Sequence, residues 1–398
     1  MSTLQTTFLK HPDAAGNQVT FASDGTTSLS GDTSISGNNT VTGNVSAVDG
    51  TLSGNLAVTG DAQMASLNSG QLAGRRNRIG NGSFTIAQRL TSGNNATNFN
   101  GRPRTADMWV MRGNVDTGGT INWEIADGST GQARSTICDK TYANAFRFEF
   151  ISNITQNWGI LQFIEPQEAK SFNGKTMTIS FVSNLNHDDW FIYLQASGDS
   201  AHIFSLSSTT TNPYGSTGYV VSGSVTIPDD TFNDGDSTIA LYFYNTADRA
   251  SGDTVDVSLI QLEEGTVRTP YEFRTYADDL ALCQRYLYVM NVASNQNFAR
   301  FGIGLANSNV EAQAIVNFPV TMRIPPTALE GVSSGLYQAS DGSTGHAGTN
   351  LTLTGNVRTN NTACISLATT GLTSKNPYYV EANGNAAGTK YLRFSAEL

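Results

Sequence analysis

Charge is scarce in this chain: Asp, Glu, Lys and Arg together make up 14% of its 398 residues, while glycine alone contributes 39. That balance argues against a helix-rich protein, and the Ser, Thr and Asn residues between short apolar alternations suit strands joined by turns. Positive charge is scarcer still. The net charge is −10, and a trimer would carry three times that, so phosphate or an anionic membrane surface would repel it. Neither nucleic acid nor membrane insertion is expected. The tightest basic cluster, Arg75, Arg76 and Arg78, falls at an apparent domain junction and reads as a solvated hinge. Cysteine is nearly absent: Cys138, Cys283 and Cys364 are odd in number and far apart, which argues against a disulfide framework. No apolar run approaches the ~20 residues needed to cross a bilayer. The N-terminus has neither the basic segment nor the apolar core of a signal peptide. The expectation is a protein made and assembled in a cytoplasm that leaves its cell by lysis.

What the chain does have is a six-residue beat. Leu29-Ser30-Gly31, Ile35-Ser36-Gly37, Val41-Thr42-Gly43, Leu52-Ser53-Gly54 and Val58-Thr59-Gly60 each offer one branched apolar residue, one hydroxyl and one glycine. A lone chain of this kind has almost nothing to bury, so several copies must wrap together. A threefold β-prism or spiral fits, and collagen is excluded by the glycine period and the lack of proline. The expected fold is all-β, in six parts: an attachment leader at 1–24, a repeat shaft at 25–60, a neck at 61–76, a jelly-roll β-sandwich at 77–274, a linking helix at 275–290 and a smaller distal β-domain at 291–398. In the leader, Val19 and Phe21 form the one short apolar alternation. In the sandwich, Phe146, Phe148 and Phe150, then Met177, Ile179 and Phe181, then Ile239, Leu241 and Phe243 alternate with other residues at period two. Thr275 can cap the helix, whose Tyr276, Leu280, Cys283 and Leu287 recur at helical spacing, with Cys283 read as core. Phe301-Gly302-Ile303, Ile315-Val316, Leu351 to Leu353 and Tyr391 to Phe394 are the clearer strands of the last domain, with Pro325-Pro326 ending one of them.

Two stretches carry a resemblance. Asn81-Gly82-Ser83-Phe84-Thr85-Ile86-Ala87-Gln88-Arg89, followed by Thr105-Ala106-Asp107-Met108-Trp109, is similar to the opening of jelly-roll modules in phage tail-fibre proteins. Gln261-Leu262-Glu263-Glu264-Gly265, Thr269-Pro270-Tyr271-Glu272 and Leu282-Cys283-Gln284-Arg285-Tyr286 resemble the stretch that closes them. The leader Gln5-Thr6-Thr7-Phe8-Leu9-Lys10-His11-Pro12 resembles fibre proteins of marine cyanophages. The chain departs from the module's usual form at Ala87, Leu90 and Met108, where tryptophan, glycine and arginine are common. The resemblance implies a homotrimeric virion tail fibre that recognises a host surface glycan or outer-membrane component through its C-terminal domains. A capsid or neck fibre without receptor role, and a polysaccharide depolymerase, are the alternatives.

The residues themselves point to binding rather than catalysis. Acidic pairs at Asp188-Asp189, Asp229-Asp230, Glu263-Glu264 and Asp278-Asp279 are adjacent in sequence, and neighbours on a strand face opposite ways, which does not suit paired carboxylates. The loop from Asp229 to Asp236 concentrates oxygen ligands but lacks a calcium-loop spacing, so a solvated turn is expected, with no metal and no cofactor. His11, His187, His202 and His346 are isolated, so zinc is not expected. Gln88, Arg89 and Asp107 read as hydrogen-bonding groups that pin strands together. Candidate sugar platforms are Trp158, Trp190, Tyr378 and Tyr379, each beside polar residues, together with Tyr337 and His346 flanking a polar loop from Ala339 to Gly345. Leu4, Phe8, His11 and Pro12 would plug into another virion tail or adaptor protein.

Overall fold

In the computed structural model the period-two segments form antiparallel strands, and the fold is all-β, with two short α-helices among the described residues. The structure describes residues 75–397 except 97–103, 114–118, 128–134, 140–142, 237, 293–296, 356, 387 and 389, together with two short strands nearer the N-terminus. Those two, β1 (Val19–Phe21) and β2 (Thr27–Leu29), pair with Phe21 opposite Thr27 in a compact unit of their own, Met1–Gln63. The remaining leader and shaft residues, including Leu4, Phe8, His11 and Pro12, and the neck up to residue 74, lie outside the described residues.

The sandwich contains β3 (Ser92–Ala96), β4 (Trp109–Gly113), β5 (Ile121–Ala126), β6 (Ala145–Phe150), β7 (Trp158–Ile164), β8 (Thr176–Ser183), β9 (Trp190–Ala196), β10 (His202–Ile203), β11 (Ser205–Thr209), β12 (Tyr219–Thr226), β13 (Ile239–Asn245) and β14 (Thr254–Glu264). They build a five-stranded sheet, β10-β9-β13-β7-β4, and a seven-stranded one, β11-β12-β8-β14-β6-β5-β3. From β6 to β9 and again from β12 to β14 the chain passes from one sheet to the other at each step, which is how a jelly roll covers both inner faces. The core between them is aromatic. Phe148 and Phe150 each hold their ring centroid 4.8 Å from Trp158, and Phe181 packs edge-on against Trp190 and Phe243.

The two stretches that carry the resemblance meet in space. Gly82 lies against the backbone of β14, where an added Cβ would fall 2.1 Å from the Ile260 carbonyl oxygen, so only glycine fits there. Its carbonyl accepts from Ile260 N at 2.9 Å, beside a bulge at Leu259, whose φ is +53°. Buried Asn77 donates to Ile260 O and accepts from Ile79 N and Leu262 N. Buried Asn81 ties Ile86 and Asp107 in the same way, and Trp109 Nε1 donates to Asn81 O at 3.0 Å. On the closing stretch Glu263 accepts from Thr269 N and Oγ1, and Glu272 accepts from Asn77 N at 2.8 Å. The basic cluster is therefore part of a hydrogen-bonded clasp rather than a solvated hinge: Asn77 is buried, and Arg78 pairs with Glu168 at 3.1 Å.

The first helix, α1 (Pro166–Lys170), is a single turn after β7. The second, α2 (Tyr276–Gln284), is capped by Thr275 Oγ1, which accepts from Asp278 N. It is shorter than the sequence spacing implies. Tyr276 is exposed, Asp279 is buried against Arg274, and Leu287 sits on a strand, β15 (Leu287–Asn291), because its backbone pairs with residues over a hundred positions later. Cys283 is buried, and burial pushes its thiol well up.

The terminal region holds β16 (Arg300–Ser308), β17 (Glu311–Asn317), β18 (Ala328–Glu330), β19 (Tyr337–Ser340), β20 (Gly345–Ala347), β21 (Asn350–Leu353), β22 (Thr362–Ala368), β23 (Pro377–Ala382) and β24 (Tyr391–Ser395). A seven-stranded sheet, β20-β19-β23-β16-β17-β22-β21, covers a second core together with a three-stranded one, β15-β24-β18. Pro325-Pro326 precedes β18 instead of ending a strand. Both cores fall within one compact unit, Met64–Leu398. Arg89 joins them: its guanidinium bonds both oxygens of Glu330 at 2.8 and 2.9 Å and Glu397 at 2.8 Å. Arg393 Nη2 returns a bond to Arg89 O at 2.6 Å, and Arg285 meets Glu165 at 2.8 Å. Gln88 donates from N and Nε2 to Asp107, and Nε2 also reaches Leu287 O.

Candidate functional site

Five of the six aromatic and histidine candidates named from sequence turn inward or are covered. Trp158 is wholly buried and Trp190 nearly so, because both lie on the inner positions of β7 and β9, so neither is a surface platform. Their indole nitrogens have no hydrogen-bond partner among the described residues. Tyr337 is also buried, its hydroxyl donating to Tyr391 O at 2.6 Å. Tyr378 is buried with its hydroxyl bonded to Thr373 N, and half-buried His346 packs edge-on against its ring at 6.0 Å. Tyr379 is half-buried, and the Arg300 guanidinium covers its ring at 3.7 Å. The polar loop from Ala339 to Gly345 is largely the hairpin between β19 and β20, closed by Asp341 Oδ1, which accepts from Ser343 N and Thr344 N. Those bonds hold its carboxyl down at about 2.

The aromatic surface lies elsewhere, on the outer face of the five-stranded sheet. The alternation that sends Trp190, Ile192 and Leu194 inward sends Phe191, Tyr193 and Gln195 out, and that which buries Ile239, Leu241 and Phe243 exposes Tyr242 and Tyr244. Register then aligns them. Tyr242 sits opposite Tyr193 on one side and Leu161 on the other, and Tyr193 opposite Ile203, so a single row crosses the sheet. The Tyr193 and Tyr242 rings stack at 4.6 Å with 12° between planes. Phe191 leans on Tyr193 at 5.3 Å, and Tyr244 stands 5.8 Å from Tyr242. At the β4 end the face is closed: Val110 and Leu161 are buried, and Phe163 lines a small cavity with Tyr286 and Glu397. At the β9 and β10 end it is open, with Phe191 and Ile203 exposed.

Polar groups converge beside the rings. In the next row Tyr244 and Arg112 lie on either side of Gly159, and their side chains are hydrogen-bonded to each other. Tyr193 donates to Tyr244. Burial pushes the hydroxyl of Tyr193 well above the ordinary tyrosine range, with the neighbouring Tyr244 and Tyr242 adding to it, and burial raises Tyr244 too. Both of these phenols therefore stay protonated at neutral pH. The arrangement offers apolar ring surface plus a few donors and acceptors, with no nucleophile paired to a base.

A second concavity, about 500 Å³, opens at the junction beside α2, where Arg75, Arg274, Met108 and Tyr286 meet the ion pairs Arg78–Glu168 and Arg285–Glu165. Four arginines line it against two glutamates, and Arg274 is also paired with Asp279. Three of the four acidic pairs named above have members engaged in the fold: Asp189 with Arg249, Glu264 with Lys175, Glu263 with Thr269 and Asp279 with Arg274. In the Asp229 to Asp236 loop, Asp234 bonds Lys170 and Asp236 accepts from Asn233 N. Among the described residues no group of three or more His, Cys, Asp or Glu could hold a metal ion. No described helix is long and apolar enough to cross a membrane.

No family model matches this chain, and no curated protein matches it significantly. Among solved structures it is similar to an apo cyclase from Fischerella sp. (12% identity, 49% of this chain and 98% of that one, TM-score 0.30). It is also similar to the family 11 carbohydrate-binding module of Clostridium thermocellum Lic26A-Cel5E (12% identity, 45% and 98%, TM-score 0.22). A tandem CBM22 domain from Paenibacillus barcinonensis Xyn10C matches at 9% identity (79% and 99%, TM-score 0.22). Likenesses this distant decide neither ligand nor activity.

Proposed function

We propose that this chain is a homotrimeric phage tail fibre that adheres to a host surface glycan through the outer face of its five-stranded sheet, without cleaving it. The observation that carries the reading is the tyrosine row, Tyr193 and Tyr242 with Phe191 and Tyr244 beside them, open at one end and bordered by Arg112 and Gln195. Pyranose rings have apolar C–H faces and equatorial hydroxyls, and aromatic edges and faces next to phenol and guanidinium donors match both. Two of the named solved structures are carbohydrate-binding modules, a use of the sandwich fold that this reading shares. The engagement of three of the four acidic pairs in structural bonds favours adhesion over depolymerisation. Support for the fibre comes from the six-residue beat and from the resemblance of the clasp-forming stretches and the leader. The leader would dock another tail protein of the virion. Three weak sites on one stalk gain by effective concentration, so shallow single sites suffice.

The test is binding of the purified full chain to extracted host polysaccharide, wild type against Tyr193→Ala with Tyr242→Ala. Loss of about tenfold or more in affinity is expected, since each removes aromatic contact worth about 1 kcal/mol. Undiminished binding by a folded double variant would overturn the site, and shortening of the polymer would favour a depolymerase.

A further inference from the structure

The central strands of the terminal sheet carry bulk on both faces. β16 and β17 turn Phe301 and Val316 toward the core together with Gly302, Gly304, Ala306, Ala312 and Ala314, while Ile303, Leu305 and Ile315 point away from it and are 59%, 55% and 60% exposed. Register places Ile303 opposite Ile315 on one side and Tyr379 on the other, with Leu305 next to Pro377 in the following row, so the three form a continuous ridge. Single exposed aliphatics are ordinary; a contiguous ridge of them on the central strands of a sheet marks a contact surface.

Its surroundings identify the occupant. Beside it in register lie Gln313, Ser340, Cys364, Ser366 and Thr352, and the same strands carry the Arg300–Glu381 pair at 3.6 Å and one further carboxylate, Glu311, whose bonds from Ser366, Asn307 and Gln313 hold its pKa down. A chain carrying −10 repels its own copies, and a ridge of uncharged side chains adds nothing to that repulsion. A sugar finds little here, because Tyr379, the aromatic ring beside the ridge, is already covered by Arg300. The six-residue beat, meanwhile, requires further copies of the same chain on the same stalk, which raises their local concentration.

We propose that the ridge of Ile303, Leu305 and Ile315 is the surface through which the terminal domains of neighbouring copies of this chain pack together in the fibre. This placement rests on the several-chain reading of the fibre. It assigns the two exposed sheet faces different tasks: the tyrosine face stays open to ligand, and the aliphatic face is closed by self-association.

Thiol labelling of the full-length protein tests it. The native cysteines are all buried, so Ile303→Cys, Leu305→Cys and, combined with Cys364→Ser because Cys364 lies opposite it, Ile315→Cys each report on one position, with Thr209→Cys on the exposed sandwich edge as reference. In assembled wild-type-like fibres the three ridge thiols should react with a maleimide at least about tenfold more slowly than the reference. Labelling as fast as the reference, in protein that sediments as a multimer, overturns the interface and leaves the fibre standing. Sedimentation of the wild type as single chains overturns the fibre reading, and the interface with it.

Discussion

The two β-domains treat their sheet faces in opposite ways. The sandwich fills its interior with large rings, Phe146, Phe148, Phe150, Trp158 and Phe243, and presents tyrosines and an arginine outside. The two central strands of the terminal sheet place Phe301 and Val316 inside together with glycine and alanine, and isoleucine and leucine outside. An interior of rings stands alone as a folding unit, and phenols on its surface keep one polar end in water. Exposed aliphatics gain from burial only when something covers them. The difference teaches that the two regions offer contacts of different chemistry, the first a wet aromatic surface and the second an aliphatic one.

The strongest way to break this comparison is to empty the sandwich core. Trp158→Ala should cost about 3–5 kcal/mol by removing a ring packed against Phe148, Phe150 and Trp190. Ile315→Ala, at an exposed position, should leave the chain's own fold within about 0.5 kcal/mol of wild type. Chemical denaturation of both variants checks the contrast, and equal losses would erase the distinction. Next comes the joint. Arg89→Ala leaves the nearly buried Glu397 and half-buried Glu330 without their shared partner and should cost about 3 kcal/mol. Burial works against the Arg89 charge, yet Glu330 and Glu397 raise its pKa above the usual arginine value, so the guanidinium stays charged across the accessible range. Differential scanning calorimetry should then show the terminal domain melting ahead of the sandwich, whereas a single unshifted transition would show that the ion pairs do not couple them.

Much of the architecture was legible because strand periodicity is local. Phe146 to Phe150, Met177 to Phe181 and Ile239 to Phe243 occupy β6, β8 and β13 with their large residues inward, and Thr275 caps its helix as its position suggests. The same alternation also carried the tyrosine face. Tyr242 and Tyr244 occupy the outward half of a pattern read only for its core half, and Phe191 and Tyr193 flank the inward Trp190 and Ile192. Polar neighbours in sequence misplaced Trp158 and Trp190, because the side a residue faces follows from sheet register and not from what precedes it. That Tyr193, Tyr242 and Leu161 form one row depends on β9, β13 and β7 being adjacent, which no local pattern states. The joint was less legible still: Arg89 meets Glu330 and Glu397 across 241 and 308 residues. Leu287 shows tertiary pairing overriding helical spacing.

A smaller effect distinguishes the joint's chemistry from simple packing. Burial first, opposed by the bonds from Gln88, pushes the carboxyl of Asp107 from 3.8 up to about 6. A carboxyl raised in the folded state contributes stability that is fully present below its unfolded pKa and is lost as pH rises through about 6. Asp107→Asn keeps an oxygen acceptor for Gln88 N but cannot ionise. Relative to wild type, its unfolding free energy should therefore improve by about 2 kcal/mol between pH 4 and pH 7. A pH-independent difference would mean that Asp107 titrates alike in both states.

The finest test concerns one hydroxyl on the tyrosine face. Tyr193→Phe keeps the ring stacked on Tyr242 but removes the donor to Tyr244, and because both groups are half-buried the loss in stability should be about 1 kcal/mol or less. If the face binds glycan by ring contact, affinity should fall only a few-fold in this variant against about tenfold or more in the double alanine variant. If it binds mainly through the phenol and Arg112 network, the phenylalanine variant should lose nearly as much as the double alanine. Titration calorimetry on the two variants with one polysaccharide therefore separates apolar from polar recognition on a sheet whose stability neither change greatly disturbs.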